Sequence, residues 1–329
     1  MADGARQSRV IALTGATSFL GRNLTGLLEE DVSVDKIVSL GPRQPDTAAD
    51  KTVHHELDLT SAEAAEQTAV LFERENIDTL VHLAFLNSPG PAKVWSHELE
   101  SVGTMHIVNA CRRAGVNKLV MRSSTLLYGA DSTNPNFLTE AHPLRARRSE
   151  AFFLDKIEAE NEVLRFASSS PDRTVTVLRM APLLGPNVSN FVTKYFSRRL
   201  IMTIMGYDPL CQFVHEADAV AAFKLALDRD VSGVYNIVGD GVIPLSHLVR
   251  LNQRRGIPLP RFLAGPVATA TWFAQLGEAP SGFLDYLQYL CVADGSLAEK
   301  HLGYRPVYTS REAFIDFVAG RHGAKELAG

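Results

Sequence analysis

Near the start of the 329-residue chain stands VIALTGATSFLG, residues 10–21, in which an apolar run leads into a turn bounded by glycines. The unbroken apolar run at 10–13 is typical of a strand buried on both faces of a parallel sheet. Leucines at 20, 24, 27 and 28 then recur at the spacing of an amphipathic helix. This stretch therefore predicts a strand, a tight turn and a helix, the opening unit of an α/β fold.

The same alternation of strand and helix patterns continues as far as residue 180. It is typical of a doubly wound parallel sheet, so we predict a Rossmann-type α/β domain. The strands are predicted at 36–40, 79–83, 118–123 and 175–179, and the helices at 61–75, 98–114 and 150–167. The predicted boundaries are 1–181 for this domain, with 213–240 returning to it, and 182–212 and 241–329 for a smaller, mostly helical substrate lobe.

The composition excludes several classes of partner. Lys and Arg number 33 against 37 Asp and Glu, a formal charge of −4, and no basic run offers the footprint of a nucleic-acid binder. The chain holds no run of about 18 apolar residues that would predict a membrane span, and its start lacks the apolar core of a signal peptide. The three cysteines lie far apart and outside any metal-binding motif. We expect a cytoplasmic protein that binds a small molecule, with no metal and no nucleic acid.

The turn at 14–21 has the chemistry of a phosphate-binding loop. Gly15 allows a tight turn, Gly21 allows close packing of the helix, and the helix N-terminus presents N–H groups to a dinucleotide pyrophosphate. Ser18 stands at the middle glycine position of the usual fingerprint, so its hydroxyl is expected to bond the phosphate or to shift it slightly. The alternative is a tight turn with no ligand. The predicted cofactor contacts from this loop are Gly15, Thr17, Ser18, Phe19, Leu20 and Gly21.

Further motifs follow this loop along the chain. They are the Asp58-Leu59 pair, VHLA at 81–84, GT at 103–104, SSTLLYG at 123–129, FVHEADAV at 213–220 and LGYRP at 302–306. With these motifs almost the whole chain resembles the extended short-chain dehydrogenases/reductases of the NAD-dependent epimerase/dehydratase group. The resemblance implies a nicotinamide dinucleotide cofactor and an oxidoreductase, epimerase or dehydratase activity.

The resemblance also implies which residues line the cofactor groove. Asp58, with Leu59 beside it, would contact the adenine, and Leu83 and Ala84 would line the groove. As alternatives, Asp58 is only a turn residue and Ala84 only packs within the sheet.

The choice between NAD and NADP depends on the end of the second predicted strand. A carboxylate that holds the ribose of NAD is expected about 20 residues beyond the loop, where this chain has Gly41. Arg43 lies two residues further on, and an arginine pairs with the 2′-phosphate of NADP. The sequence therefore leans slightly to NADP over NAD, unless Arg43 is simply solvated.

The catalytic motif implied by the resemblance has one departure. Ser124, with Thr125 beside it, would position the substrate oxygen, and Lys156 would hold the nicotinamide ribose. Four residues before Lys156, where the family carries a catalytic Tyr, this chain has Phe152. Phenylalanine has no proton to transfer, and loss of a positioned general acid/base typically costs about 10²–10⁴-fold in rate. As alternatives, Ser124 is a strand-end cap and Lys156 an exposed lysine paired with a neighbouring Glu.

Phe152 leaves three explanations open. Another group supplies the proton, with Tyr128, His142 and Tyr207 as the candidates. Ser124 and an ordered water are sufficient without a tyrosine. In the third explanation the protein binds the dinucleotide without turning it over, as a sensor or regulatory protein.

The substrate lobe carries an apolar segment at 200–205, preceded by Phe191, Tyr195 and Phe196. These residues are expected either to wall an apolar pocket or to form a core helix or subunit contact. Nucleotide-sugar enzymes of the family often carry Asn at the position of Pro182, so a nucleotide-sugar substrate is disfavoured. We expect a small carbonyl or alcohol substrate, apolar if the pocket exists, and a homodimer is a further expectation from the resemblance.

Overall fold

The structure, a computed structural model, describes residues 9–90, 92–146, 150–274, 277 and 279–326. The outermost parts of the two predicted domains, 1–8 and 327–329, lie outside the described residues. The strands are β1 (Arg9–Thr14), β2 (Val34–Gly41), β3 (Thr52–Glu56), β4 (Thr79–His82), β5 (Lys118–Ser124), β6 (Thr174–Met180), β7 (Leu183–Leu184), β8 (Leu200–Ile204), β9 (Leu210–Cys211), β10 (Val214–His215), β11 (Gly233–Ile237), β12 (Ile243–Pro244) and β13 (Arg255–Leu259).

Helices separate most of these strands. They are α1 (Phe19–Glu30), α2 (Ala64–Glu75), α3 (Lys93–His97), α4 (Gly103–Ala114), α5 (Ala151–Ser169), α6 (Phe191–Ser197), α7 (Glu216–Asp228), α8 (Leu245–Leu251), α9 (Arg261–Phe273), α10 (Ser296–Leu302) and α11 (Ser310–Glu326). Among the helices described, none is both long enough and apolar enough to cross a lipid bilayer.

The central sheet of the described residues has seven parallel strands in the order β3-β2-β1-β4-β5-β6-β11. The predicted α/β fold with a doubly wound parallel sheet is therefore confirmed. The strand order changes direction between β1 and β4, because β2 lies on one side of β1 and β4 on the other. In such sheets ligands bind in the crevice at the carboxyl ends of the strands around this point.

Alternate residues of the central strands belong to two separate apolar clusters, one on each face of the sheet. Ile11 and Leu13 of β1 pack with Leu24 of α1 in a cluster that also includes residues of α7. Ala12 faces the other side, with Phe72 of α2 and residues of α4 and α5. Helices thus cover both faces of the sheet, which explains why its strands read as unbroken apolar runs.

A π-helical turn, Glu98–Val102, joins α3 to α4 without a break. The sequence predicted a helix over 98–114, and the structure replaces its first five residues with this wider turn. Gly103 lets the turn pass close to the segment after β3, because a Cβ there would lie 3.2 Å from the Cβ of Leu59. The turn buries Glu100 completely. It is preceded by His97, whose Nδ1 lies 2.9 Å from Oδ1 of Asp155 on α5.

The second part of the chain is less helical than the prolines suggested. We predicted short helices there, and the structure adds two small sheets, β8 with β13 and β9 with β12. Residues 200–204 form strand β8 rather than a core helix. The reason is backbone pairing, since β8 is hydrogen-bonded in parallel to β13 and buries Ile201 and Ile204.

Candidate functional site

The turn after β1 is shaped by two glycines. Gly15 has φ +69°, and a Cβ there would lie 2.7 Å from the carbonyl carbon and oxygen of Leu83. A Cβ on Gly21 would lie 2.3 Å from the carbonyl oxygen of Gly15. The backbone at both positions is too close to its neighbours for any side chain. The turn is therefore pressed against the end of β4, where Leu83 is buried and Ala84 is partly exposed.

The N-terminus of α1 opens into the crevice beyond this turn. Ser18 is the N-cap, and its Oγ accepts a hydrogen bond of 3.1 Å from the Gly21 N–H. The first turn of α1 contains no acidic residue that would repel a phosphate. Of the other predicted contacts, Thr17 is exposed, Phe19 is partly buried and the Leu20 side chain belongs to the core. This cradle fits the pyrophosphate of a dinucleotide, with backbone N–H groups as the ligands.

The adenosine end of the crevice is more open. Oδ1 of the exposed Asp58 accepts hydrogen bonds from the backbone N–H of Thr60 at 2.9 Å and from its hydroxyl at 2.7 Å. Asp58 is thus a turn residue with one oxygen already used. Leu59 is a core residue packed toward the π-helical turn, and Arg43 is exposed beyond β2.

Ser124 is the last residue of β5 and caps a 3-10 turn, Thr125–Tyr128. Its Oγ accepts a hydrogen bond of 3.2 Å from the Leu126 N–H, so its own proton remains available to a ligand. Ser124 borders a cavity of about 60 Å³ at the carboxyl edge of the sheet, which we call the catalytic cavity. Its lining includes Asn87, Arg122, Ser124, Phe152, Lys156, Pro182 and Phe191.

Lys156 is buried at the floor of the catalytic cavity. Its Nζ donates a hydrogen bond of 2.5 Å to Oε1 of Glu100, which also accepts the Leu86 N–H. Burial lowers the pKa of Lys156 and raises the pKa of Glu100, because each charged form is removed from water. The alternative of an exposed lysine paired with a neighbouring Glu is therefore wrong. Lys156 forms a buried ion pair with a residue 56 positions away.

Phe152 lines the catalytic cavity together with Lys156 and Phe191. The Nζ of Lys156 lies 4.1 Å from the centre of its ring, a cation–π contact. The rings of Phe153, Phe191 and Phe283 surround it at 5.6, 6.0 and 5.9 Å between centroids. The ring is thus held in an apolar cluster and presents carbon where a tyrosine would present a hydroxyl.

Two predicted catalytic residues lie outside the catalytic cavity. Thr125 is only 1% exposed and does not line the cavity, because the chain turns away immediately after Ser124. Tyr128 is also 1% exposed. Its hydroxyl donates to Oδ1 of Asn236 at 2.8 Å and accepts from Nη1 of Arg179 at 2.8 Å. Neither residue lines the described cavity, and Tyr128 takes part in a buried hydrogen-bond network, so a catalytic role for either one stays a prediction.

The other two candidate proton donors are also absent from the described lining of the catalytic cavity. Nδ1 of His142 accepts the backbone N–H of Thr139 at 3.0 Å and lies by a different depression. Tyr207 is exposed, with its ring 6.0 Å from that of Tyr289. Neither residue thus lines the cavity that Ser124 borders.

An apolar pocket of about 350 Å³ adjoins the catalytic cavity. The two spaces share Leu126, Pro182, Phe191 and Val192. Strand β8, α9 and the 3-10 turn at Ser281–Leu287 each supply part of the remaining wall. Its lining includes Tyr195, Leu200, Met202, Ile257, Leu259, Val267, Phe283, Leu284, Tyr286 and Leu287. Leu200 and Met202 of the segment at 200–205 thus line a pocket, whereas Ile201 and Ile204 are buried in apolar clusters, so part of the segment walls a pocket and part of it packs in the core.

Two charged residues were not among the predicted site residues, namely Arg122, which lines the cavity, and Glu100, which bonds the lining residue Lys156. Glu100 gave no usable signal, because it looks like any polar helix residue until the π-helical turn directs it inward. Arg122 did give one, since it interrupts the buried strand LVMRSS two residues before Ser124. A charged side chain in such a strand is costly to bury without a partner or a ligand.

Comparisons with known proteins agree with this architecture. The sequence model of the NAD-dependent epimerase/dehydratase family matches residues 11–238. An uncharacterized protein of Mycobacterium tuberculosis is 29% identical over 318 residues, which cover 95% of this chain and 84% of that protein. A 3-diazoavenalumate denitrifying reductase of a Streptomyces species is 27% identical, over 80% of this chain and 88% of the reductase.

A solved structure shows the same fold over nearly the whole chain. It is the dTDP-glucose 4,6-dehydratase DesIV of Streptomyces venezuelae with NAD and TYD bound, with a TM-score of 0.73. The match is 18% identical in sequence and covers 97% of this chain and 98% of that one.

Proposed function

Because this chain belongs to the NAD-dependent epimerase/dehydratase family, we propose that it is a nicotinamide dinucleotide-dependent enzyme acting on an apolar carbonyl or alcohol without a catalytic tyrosine. One observation carries the proposal. Ser124 and Lys156 line a single cavity at the carboxyl edge of the sheet, and that cavity adjoins a pocket with an apolar wall. The family membership supplies the reaction class, and the pocket supplies the character of the substrate.

The loop from Gly15 to Gly21 would hold the pyrophosphate, and Leu83 and Ala84 would line the path toward the catalytic cavity. When bound, a nicotinamide dinucleotide supplies or accepts a hydride. The protein then has to orient the reacting oxygen and handle one proton. The Ser124 Oγ accepts a hydrogen bond from the Leu126 N–H, and its own proton is not used in that bond. The hydroxyl can therefore donate a hydrogen bond to a carbonyl oxygen.

Ser124 and Lys156 are the groups of the described cavity lining that we assign to proton transfer. Lys156 is kept in place by Glu100, and its lowered pKa makes its ammonium a better acid than an exposed lysine. This arrangement supports the explanation in which Ser124, with an ordered water, replaces the tyrosine. It gives no support to Tyr128, His142 or Tyr207 as the proton donor.

The pocket favours an apolar substrate over a nucleotide sugar. Pro182 lines both spaces and offers no side-chain hydrogen bond to a sugar. Most of the pocket wall is aliphatic or aromatic, which matches an apolar ligand body. The Streptomyces relative is named as a reductase, which supports the reductive direction among the reactions of the family.

The test is hydride transfer by the purified protein from NADH or NADPH to a panel of apolar aldehydes and ketones. We expect oxidation of the reduced dinucleotide with at least one member of the panel. Ser124→Ala should lower the rate by about 10²-fold or more. Ser168→Ala, a change at an exposed serine on α5, is the matched control and should leave the rate unchanged.

Two other outcomes are informative. Stabilisation by a dinucleotide without turnover of any substrate would favour the non-catalytic sensor over the enzyme. If none of the four forms, NAD⁺, NADH, NADP⁺ and NADPH, raises the melting temperature, both proposals fail.

We further propose a preference for NADP, carried by Arg43. Removing this exposed guanidinium by Arg43→Ala should weaken NADPH binding by about tenfold, because the 2′-phosphate loses its cationic partner. NADH, which lacks that phosphate, should bind as before. Titration calorimetry with both dinucleotides measures the two dissociation constants, with Arg305→Ala as the control at another exposed arginine. Equal effects on NADH and NADPH would contradict the preference.

Restoring the family tyrosine should not restore the family mechanism. In Phe152→Tyr the new hydroxyl faces a lysine whose charge is already balanced by Glu100 at 2.5 Å. That lysine can therefore lower the pKa of a tyrosine only weakly, and we expect less than about a tenfold gain in hydride transfer. Phe152→Leu separates the loss of the ring from the gain of the hydroxyl. A gain of about 10²-fold or more would instead reveal a dormant site of the ordinary kind.

The homodimer and the cytoplasmic location stay predictions. Light scattering of the purified protein measures the first, and fractionation of the source cells measures the second. A monomer at all concentrations tested would contradict the dimer.

A further inference from the structure

Arg122 projects from the face of the sheet that carries the crevice. In the β5–β6 pairing Arg122 lies opposite Leu178 and Ser124 lies opposite Met180. Leu178 and Met180 belong to the apolar cluster under α1, so Arg122 and Ser124 lie on that same face. Arg122 lines the catalytic cavity together with Ser124.

The Arg122 guanidinium is not paired directly with a carboxylate of the described residues. Glu100 is the carboxylate whose field reaches Arg122, and its Oε1 is already bonded to Lys156. Within the described residues no carboxylate oxygen lies within 4 Å of the Arg122 guanidinium, and no protein acceptor forms a hydrogen bond with it. Lys156 is paired with Glu100 and also feels the field of Asp155, so Arg122 is the cavity-lining cation that lacks a directly bonded acceptor among the described residues.

A partly buried arginine without a bonded acceptor is suited to bind an anionic ligand. Its guanidinium carries five N–H donors in a rigid planar fork and stays protonated in proteins. Partial burial removes much of the water that would otherwise satisfy those donors, and it lowers the pKa of Arg122. The natural partners of the fork are paired oxygens, as in a carboxylate or a phosphate.

We propose that Arg122 binds an oxyanion group of a small molecule held in the catalytic cavity. This inference rests on the proposed function only in taking that cavity as the site of reaction. The oxyanion has two sources with the same chemistry. One is a carboxylate on a substrate whose apolar body fills the adjoining pocket, and the other is a phosphate of the dinucleotide.

The experiment measures equilibrium binding, with no turnover required. The probes for the first source are 4-phenylbutyrate and 4-phenylbutyramide, which share an apolar body and differ in charge. The probe for the second source is ADP-ribose, which carries the pyrophosphate without a nicotinamide ring. Each is titrated into the wild type, Arg122→Gln, Arg122→Lys and, as matched control, Arg250→Gln at an exposed arginine of α8.

If the substrate supplies the oxyanion, 4-phenylbutyrate binds the wild type at least tenfold more tightly than its amide, and Arg122→Gln abolishes the difference. If the cofactor supplies it, ADP-ribose binds Arg122→Gln about tenfold more weakly, and the two phenyl probes stay equal. Arg122→Lys should fall between the wild type and Arg122→Gln, because it keeps the charge and loses the fork.

Unchanged affinity for every probe in Arg122→Gln, relative to Arg250→Gln, overturns the inference. If Arg122→Gln fails to fold, Arg122→Lys decides, since its anion affinities should still drop at least threefold and no drop overturns the inference. Failure of the proposed function shows differently. A protein that discriminates the carboxylate from the amide but transfers no hydride keeps this inference and loses the enzyme.

Discussion

Glu100→Gln is expected to lower the free energy of unfolding by about 3–5 kcal/mol, the usual cost of leaving a buried charge without its partner. The neutral amide cannot balance the Lys156 ammonium, which lies 2.5 Å from the carboxylate in the wild type. Phe152 would then be the main remaining contact of the ammonium, and a cation–π contact replaces only part of the lost interaction. Urea unfolding followed by circular dichroism measures the difference between the two proteins.

A double variant tests whether the effect comes from the unpaired charge. Glu100→Leu combined with Lys156→Met removes both charges and should recover more than half of the lost stability, because apolar replacements of a buried ion pair are often close to neutral. The matched control is Glu162→Gln, which breaks an exposed i,i+3 pair with Arg165 on α5. It should change stability by less than about 1 kcal/mol. If Glu100→Gln behaves like Glu162→Gln, the buried pair is not what holds the floor of the cavity.

Gly15→Ala is expected to weaken dinucleotide binding by about 10²-fold and to destabilise the fold by about 1–3 kcal/mol, the range for a residue forced into an unfavourable backbone conformation. The added Cβ would meet the carbonyl carbon and oxygen of Leu83 at 2.7 Å and the Ala84 nitrogen at 2.9 Å. These are backbone atoms of the central sheet, so the turn has to move instead. Its movement displaces the N-terminus of α1, which is the proposed anion site.

Gly26 provides a matched control in the same helix. It lies in the middle of α1, and a Cβ there would meet nothing within 4 Å. Gly26→Ala should therefore leave binding unchanged and raise stability by about 0.5–1 kcal/mol, because alanine loses less conformational entropy in a helix. Thermal unfolding and NADPH titration of the two variants give the comparison. Equal affinity in both would show that the turn does not hold the cofactor.

The parts of this protein that could be predicted from its sequence are those encoded locally. Gly15 and Gly21 predict the conformation of the turn at 14–21. The apolar runs of the strands predict a sheet that is covered on both faces. The replacement of tyrosine by Phe152 is equally visible, because residues i and i+4 of one helix share a face. These signals need no knowledge of distant contacts.

The features that escaped prediction depend on partners far along the chain. Tyr128 lies four residues after Ser124, a predicted catalytic residue. Its hydroxyl donates a hydrogen bond to Asn236, which lies 108 residues later, and this bond within the core cannot be predicted from the local sequence. The segment at 200–204 becomes a strand because residues 255–259 pair with it. Glu100 bonds Lys156 because residues 98–102 form a π-helical turn instead of an α-helical one. The polar residues of this segment do not predict that change.

The π-helical turn at Glu98–Val102 has a mechanical consequence for the helix that precedes it. A π-helical turn accommodates one residue more than an α-turn, and each residue of an α-helix advances about 100° around the axis. Deleting one residue from the turn would therefore return it to an α-turn with little rotation of α3 about its axis, and His97 would stay beside Asp155. The wider turn thus takes up one extra residue and keeps the same side of α3 facing α5, with no substitution in either helix.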